Sequence, residues 1–494
     1  MKKFLSLTFA AALIVGLAVA AYAVDFGADG FVRVRTGWHR NAGGAPRAEP
    51  LIIAPPGADT GWNDTNAWVD TRFRLRFTAK ANDVASGVIY FEGDSSRWGE
   101  APDGRNTAGA WNADRNAVEL KQFYIDFKVP GLSDFAPTTL RAGIQGFSVR
   151  THFLLFADGP GVELNTTTGP IKWSWYWYKP QEGADNQADD GDIYGVRLWA
   201  PGLAGLTPGA YFLYLNAGDY PLRASTAAGP YDKGDFWWLG LYLDGKIGPV
   251  ALQSDFAYFD GKQTLSGVTT LNNPLAPDPD FGGYGFFVDA SVSDIVPNWT
   301  FGGAFAYGTG DDLVDTTDQW GNADEFKGFR VPPGSEEPYI GNWGMVYYAS
   351  AINDGVRMSN LAAGTTAGLG KLGGTWFGKL YASFKGPEWL KTTIYGMYIG
   401  DTTKEGNTLG DARDVFPAIP GFSSGLEDDS DIGIELGVYC NISIYKNLTY
   451  SVGGGYLFAG GALDSFTGDT IAGIPVNDSP KDPWAILSQL IFTF

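Results

Sequence analysis

The stretch Thr71-Arg72-Phe73-Arg74-Leu75-Arg76-Phe77-Thr78-Ala79-Lys80 alternates basic or polar residues with apolar ones without a break. Successive side chains of a β-strand point to opposite faces of its sheet, so a strand here would place the arginines on one face and the Phe and Leu side chains on the other. A sheet in water and a sheet in lipid both accommodate such a strand. The rest of the chain must therefore decide between these two environments.

The beginning of the chain has the features of a secretory signal peptide. Lys2 and Lys3 precede an apolar run, and Ala21-Tyr22-Ala23 forms a small-x-small cleavage site. We therefore predict a signal peptide over residues 1–23 and a mature, exported chain over 24–494. No second run of about 20 apolar residues follows, so the sequence predicts no transmembrane helix in the mature chain.

About 18 segments with strand periodicity follow, and the links between them alternate between short and long. Short links include Asn82-Asp83, Gly169-Pro170, Gly248-Pro249 and Lys446-Asn447, whereas long polar links lie at 39–66, 99–116, 261–281, 309–374, 401–430 and 460–483. Short turns at one end and long loops at the other are typical of a transmembrane antiparallel β-barrel. We predict an all-β fold, a single barrel domain of 16–18 strands over residues 24–494, with periplasmic turns and extracellular loops.

The apolar faces of the segments agree with this architecture. In the segment 432–445, one face carries Ile, Leu, Val and Cys side chains while Glu, Tyr, Asn and Ser occupy the other. An apolar face on nearly every strand must meet lipid or a second sheet, and the signal peptide and the loop asymmetry favour lipid. Trp173, Trp175 and Trp177 share the outward parity and fit an aromatic girdle, which leaves Tyr176 and Tyr178 facing inward.

The chain ends in Leu490-Ile491-Phe492-Thr493-Phe494, with an aromatic last residue. This ending resembles the closing strand of Gram-negative outer-membrane barrels, whose terminal Phe is read by the barrel-insertion machinery. Length, strand count and the Arg-rich second strand resemble the 18-stranded substrate-selective porins and the alginate-export barrels. The resemblance implies a location in the Gram-negative outer membrane, among lipid and lipopolysaccharide, and by analogy with porins a homotrimer.

The inward parity selects a set of charged and aromatic residues as candidates for lining the channel. Five arginines on the first two strands would form one basic patch, because adjacent strands lie about 4.8 Å apart. The candidates are Arg33, Arg35, Arg72, Arg74, Arg76, Arg141 and Arg197, the acids Glu92, Asp94 and Asp126, and the tyrosines Tyr176 and Tyr178. Either the basic patch selects anionic solutes, or the arginines pair with Glu92, Asp94 and Asp126 and only keep the wall polar and folded.

Composition narrows the classes of function. The net charge of −20 disfavours nucleic acid as a partner, and one cysteine, Cys440, excludes an internal disulfide. Only His39 and His152 could act as a general base near neutral pH, so we predict no catalytic site, no metal and no cofactor. The acidic charge also opposes an anion-selective pore, since much of it falls in the long links.

The link at 309–374 is long for a plain connection and carries the apolar stretch Met345-Val346-Tyr347-Tyr348-Ala349. We expect it to fold into or over the lumen and to narrow it. The segment Ser148–Pro160, with an apolar run from Phe153 to Phe156, is the second candidate for this role. The sequence thus predicts an outer-membrane channel for passive diffusion of small hydrophilic, anionic solutes. Two alternatives stay open: a polysaccharide export channel of the alginate type, and a barrel that sheathes a cytochrome partner in an electron conduit.

Overall fold

The structure is a computed structural model of the 494-residue chain. It describes residues 24–40, 65–81, 83–99, 118–181, 190–218, 231–265, 280–312, 325–332, 335, 343–348, 372–404, 408, 428–471, 474–478 and 482–494. The predicted signal peptide at 1–23 lies outside these residues, as does most of the link at 309–374. Within the described part of the chain, no helix has both the length and the apolarity that a membrane span requires.

Eighteen antiparallel strands among the described residues form one closed barrel. Each strand pairs with its neighbour in the chain, and the last strand pairs with the first, from Trp484 opposite Arg40 to Thr493 opposite Phe31. The barrel strands are β1 (Val24–Arg40), β2 (Thr65–Ala81), β3 (Ala85–Arg97), β4 (Glu119–Lys128), β5 (Thr138–Val149), β6 (Leu155–Thr168), β7 (Ile171–Gln181), β8 (Gly191–Trp199), β9 (Leu206–Ala217), β10 (Tyr231–Ile247), β11 (Val250–Leu265), β12 (Asp280–Ser293), β13 (Trp299–Gly308), β14 (Thr375–Lys385), β15 (Leu390–Asp401), β16 (Asp431–Tyr445), β17 (Leu448–Ala459) and β18 (Trp484–Thr493).

Smaller elements stand in the links between the barrel strands. A two-residue strand, Glu325–Phe326, runs parallel to the start of β12. Between β17 and β18 lie a short 3-10 helix, Gly461–Leu463, and a hairpin of the strands Ser465–Ile471 and Ile474–Asp478. These elements leave the closure of the barrel unchanged, so the predicted all-β barrel of 16–18 strands is confirmed.

The two faces of the wall differ as the alternating sequence predicts. On β7, Trp175 and Trp177 are 54% and 45% exposed on the outer face, whereas Tyr176 and Tyr178 on the inner face are buried. The closing strand behaves in the same way, with Leu490 and Phe492 exposed on the outside. An apolar outer face with no protein against it is the surface that a lipid bilayer covers.

The hairpin of β5 and β6 leaves the wall halfway up. Within the described residues, β4 pairs with β5 only as far as Phe123 opposite Ile144, and β7 pairs with β6 only as far as Tyr178 opposite Gly161. Above these points the two strands of the hairpin pair with each other, up to Val149 opposite Leu155. We call residues 145–160 the inward hairpin, because its tip is buried inside the barrel.

The inward hairpin differs from the sequence-based expectation, which assigns Ser148–Pro160 to a loop and begins the sixth strand at Gly161. Strand β6 begins at Leu155 instead, and the connection is only the five residues 150–154. Phe153, Leu154 and Leu155 are all at most 1% exposed. Phe153, Leu154, Leu155 and Phe156 form a continuous apolar run, which lacks the apolar-polar alternation on which the expectation depended.

Candidate functional site in the barrel interior

Charged residues of β1 to β3 line one side of the interior. Arg33 stands opposite Arg72 in the strand register, Phe31 opposite Arg74, and Asp29 opposite Arg76. Residues directly opposite each other in an antiparallel pair share a face, so the predicted arginines do lie on one surface. We call this surface, with the adjoining inner faces of β4 and β5, the charged wall.

Two ion pairs lie in the part of the charged wall that is farther from the short turns. Arg35 donates from Nε and Nη2 to Asp70 Oδ1 and Oδ2, at 3.0 and 2.6 Å, and both residues are less than 5% exposed. Arg74 donates to Glu92 on the neighbouring strand. Glu92 is also 3.5 Å from the ammonium group of Lys121. The bidentate contact with Asp70 holds the guanidinium of Arg35 in one orientation.

Two further pairs lie closer to the short turns. Arg141 contacts Asp126 with two hydrogen bonds of 2.8 Å, and Arg76 contacts Asp29 with bonds of 3.0 and 2.9 Å. The guanidinium of Arg141 also lies 4.4 Å from the ring centroid of Tyr124. The charged wall is therefore a ladder in which these arginines have carboxylate partners on adjacent strands.

Arg197 on β8 has a different environment. Its Nε donates to the hydroxyl of Tyr242 at 2.9 Å, and its guanidinium carbon lies 4.8 Å from the ring of Trp199 and 5.1 Å from that of Tyr242. No carboxylate of the described residues lies within 4.0 Å of it. Tyr242 is itself held flat, because its ring covers Gly209 so closely that a Cβ there would collide with it. Arg197 thus presents a positioned positive charge.

The tip of the inward hairpin is fixed by Arg150. Its guanidinium donates to Asp244 at 2.5 and 2.7 Å and to Asp255, with the second Asp255 bond at 2.8 Å. His152 Nε2 lies 2.7 Å from Asp255 as well. Burial alone lowers the pKa of Arg150, but the hydrogen bonds to the two carboxylates outweigh burial and raise the pKa. Arg150 therefore keeps its charge and ties the hairpin to β10 and β11.

A second inserted piece, residues 343–348, is anchored by one carboxylate. Glu435 on β16 is 0% exposed and accepts backbone N–H bonds from Met345, Val346 and Tyr347 at 2.6, 3.1 and 2.9 Å. The hydroxyl of Tyr395 donates to the same carboxylate at 2.5 Å. A carboxylate that receives three successive backbone donors holds the segment in one conformation.

Aromatic packing covers the interior around this segment. The ring of Trp343 stacks on Phe287 at 5.3 Å between centroids and also lies against Phe377. Tyr347 and Tyr348 are both 1% exposed, and burial raises the pKa of each phenol. We call the inner faces of β9 to β16 the aromatic wall.

The inward hairpin and the aromatic wall also contact other described residues of the link 309–374. Phe153 of the inward hairpin stacks on Phe329 at 5.7 Å, and the hydroxyl of Ser335 accepts the backbone N–H of Phe156 at 3.0 Å. Trp238 on β10 donates from Nε1 to the carbonyl oxygen of Arg330 at 2.7 Å. The described residues of 309–374 therefore lie against the inner face of the barrel.

The remaining sequence-based candidates are only partly placed. Tyr176 and Tyr178 lie on the inner face, where Tyr178 stacks on Phe147 of the inward hairpin and Tyr176 lies tilted against the same ring. Asp94 belongs to β3, but its side chain is outside the described ones. Sequence reasoning missed Asp70 and Asp29 as partners of the arginines. Their parity within β1 and β2 was readable, but the register that brings them together was not.

The sequence matches no protein-family model and no curated protein. Among solved structures, OccK8 (OprE) of Pseudomonas aeruginosa matches 95% of this chain with 98% of its own, at 11% identity and a TM-score of 0.51. OpdL of Pseudomonas aeruginosa matches 95% of this chain with 99% of its own, at 12% identity and a TM-score of 0.48. OccAB4 of Acinetobacter baumannii matches 94% of this chain with 97% of its own, at 12% identity and a TM-score of 0.47.

At such low identity, the likeness to OccK8 shows the fold alone, which is the closed β-barrel that the sequence predicts. A closed 18-strand barrel with an apolar outer face is also the form in which β-proteins span the Gram-negative outer membrane, so the predicted localisation is confirmed.

Proposed function

We propose that the chain is an outer-membrane channel for passive diffusion of small hydrophilic solutes, with a preference for anions. The observation that carries the proposal is the charged wall inside a closed barrel with an apolar outside. A row of fixed guanidinium and carboxylate groups offers hydrogen bonds to a solute that has left bulk water. Hydrophilic solutes gain from such a row, whereas the aromatic wall offers them little.

We assign the anion preference chiefly to Arg197 rather than to the paired arginines. In the pairs of Arg35, Arg74, Arg76 and Arg141, a carboxylate cancels most of the charge that a solute would meet. Arg197 keeps two guanidinium nitrogens that no described carboxylate occupies, and Tyr242 fixes its orientation. A solute carboxylate would bind these nitrogens through two parallel hydrogen bonds.

We further propose that the inward hairpin and the segment 309–374 narrow the lumen. The support is that Arg150, Phe153 and the residues 343–348 lie against inner-face side chains from β10 to β16. The same contacts favour a channel over a barrel that sheathes a cytochrome, because the chain's own segments occupy space that such a partner would need. Deletion of residues 313–371 is expected to raise the single-channel conductance.

Liposome swelling tests the proposal. Vesicles containing the refolded barrel are expected to swell faster in pyruvate than in arabinose, and an equal or lower rate in pyruvate would contradict the anion preference. Arg197→Gln should lower the pyruvate rate about tenfold, since it removes a charge-assisted bidentate contact. The control is the double variant Arg141→Gln and Asp126→Asn, which removes a neutral pair from the charged wall and should change the rate less than twofold.

The proposal includes the partners that the sequence predicts: the barrel-insertion machinery, lipopolysaccharide and further copies of the chain. Phe494 is 50% exposed beside Phe492 on the outer face, where the barrel-insertion machinery would reach it. Lipopolysaccharide around the loops and a homotrimer remain part of the proposal by analogy with porins. We propose no catalytic role, since His152 is held by Asp255 in the hairpin contact.

A further inference from the structure

Five lysines share one position in the fold, although they are scattered along the sequence. Each is the last or the second-last residue at the short-turn end of its strand, and each is exposed. They are Lys128 on β4, Lys172 on β7, Lys246 on β10, Lys385 on β14 and Lys391 on β15. The short-turn end is the periplasmic end of the barrel.

All five also have the parity of the inner face. Lys128 lies two residues from Asp126, which pairs with Arg141 inside the barrel, and Lys246 lies two residues from Asp244 of the hairpin contact. Lys172 precedes the buried Ser174 by the same interval. Residues i and i+2 of a strand share a face, so the ammonium groups surround the lumen at its periplasmic mouth. We call them the lysine ring.

The lysine ring is not neutralised as the charged wall is. No carboxylate of the described residues lies within 4.0 Å of any of the five ammonium groups. Two further lysines lie at this end: Lys80, which is 3.1 Å from Asp83, and Lys446, which lies in the turn between β16 and β17. Other acids at this end are Asp25, opposite Lys80 in the register, and the turn residues Asp134, Asp294 and Glu388.

Two members of the ring stand directly opposite each other. Lys385 pairs with Lys391 in the register of β14 and β15. Like charges directly opposite across an antiparallel pair are destabilising. Glu388 lies in the turn between them, but no carboxylate of the described residues is within 4.0 Å of either ammonium group, so no ion pair offsets this repulsion. A polyvalent anion would bridge the two ammonium groups and remove it.

We propose that the lysine ring is a capture site for polyvalent anions that reach the barrel from the periplasmic side. The ligand class is one with several phosphate or carboxylate groups, because one such molecule can contact ammonium groups on several strands. Charges of one sign around a low-dielectric mouth concentrate counter-ions and raise association rates. The field of the ring extends about 10 Å at 0.1 M salt and about 3 Å at 1 M.

Single-channel block by inorganic tripolyphosphate tests the ring, and this readout rests on the proposed channel function. Tripolyphosphate is added to each side of one wild-type channel in turn, at 0.1 M KCl. Block is expected at about tenfold lower concentration from one side than from the other, and the difference should vanish at 1 M KCl. The five-fold Lys→Gln variant should lose the difference between the sides.

A matched pair of double variants locates the effect. Lys385→Gln with Lys391→Gln should weaken the side-dependent block several-fold. Lys233→Gln with Lys262→Gln removes two lysines at the opposite end, where Asp235 and Asp280 already pair with them, and should leave it unchanged. Equal block from both sides of the wild type, or a difference that survives in the five-fold variant, would overturn the inference.

Calorimetry separates this inference from the proposed function. Calorimetry measures tripolyphosphate binding to the refolded barrel in a zwitterionic detergent, and this measurement does not require the barrel to conduct. Binding by the wild type and its loss in the five-fold variant would support the ring even if the barrel did not conduct. Absence of binding to a barrel that conducts would overturn the ring and leave the proposed channel standing.

Discussion

The charged wall and the aromatic wall face each other inside one barrel, yet they are held by different physical means. On the charged wall, pairs such as Arg35 with Asp70 join side chains of adjacent barrel strands. On the aromatic wall, rings of the strands pack against inserted residues such as Trp343 and Tyr348. The first arrangement stabilises the wall itself, and the second stabilises material placed inside it.

Because of this difference, substitutions on the two walls should affect the free energy of unfolding and the width of the channel to different extents. An ion pair between neighbouring strands contributes to the barrel and leaves the lumen open, so its loss should change the free energy of unfolding and little else. An anchor such as Glu435 holds an inserted segment, so its loss should change conductance as well. Three substitutions test this separation, each with both readouts.

The largest effect is expected from Glu435→Gln. The carboxamide cannot accept all three backbone N–H bonds and the Tyr395 hydroxyl bond without facing a donor with its own NH₂ group. Bonds to a buried charged group are strong, and we expect a loss of about 4 kcal/mol in urea unfolding in lipid vesicles. Conductance should rise as residues 343–348 leave the wall.

The control for this variant is Glu163→Gln. Glu163 lies on the inner face of β6 and accepts one hydrogen bond, from Asn165 at 2.9 Å. Its variant should keep the wild-type conductance. If Glu435→Gln also kept it, the inserted segment would not be held by this carboxylate.

A somewhat smaller effect is expected from Asp70→Asn on the charged wall. The substitution leaves the buried guanidinium of Arg35 without its charged partner, which costs about 3 kcal/mol in the same unfolding assay. The double variant Arg35→Met with Asp70→Leu removes both charges and should lose only about 1 kcal/mol. Conductance should stay within a factor of two, because no inserted segment among the described residues bonds to Asp70. A large rise in conductance would erase the distinction between the walls.

The smallest effect is expected from Trp238→Phe on the aromatic wall. The variant keeps most of the ring packing but loses the bond from Nε1 to the Arg330 carbonyl, which leaves a buried acceptor unpaired. We expect a loss of about 2 kcal/mol and a small rise in conductance. Trp237→Phe on the same strand faces outward and serves as the control, and equal losses in the two variants would count against a specific role for Trp238.

Strand periodicity sufficed for most of the wall. Apolar-polar alternation alone predicts strands over Trp299–Gly308, Asp431–Tyr445 and Leu448–Ala459, and these limits agree with β13, β16 and β17. These strands have lipid on one side and a different environment on the other, so the alternation is complete. The tip of the inward hairpin was missed because the run from Phe153 to Phe156 is apolar throughout and shows no alternation.

The interior was less predictable because it depends on which residues meet across strands. Parity places Arg35 and Asp70 on inner faces, but only the register shows that they pair. The lysine ring was equally unpredictable, because its members are far apart in sequence and come to one end of the barrel only when the 18 strands pair. The contact between Arg150 and Asp255 needs the hairpin to leave the wall, which no local pattern indicates.

The central claim is that the barrel is an open channel whose unpaired inner charges favour anions. The most direct test is the reversal potential of single refolded barrels in a planar bilayer under a KCl gradient, measured together with the conductance. We predict discrete open channels with a reversal potential of the sign that chloride permeation gives. A barrel that does not conduct, or one whose reversal potential shows potassium preference, would contradict the account.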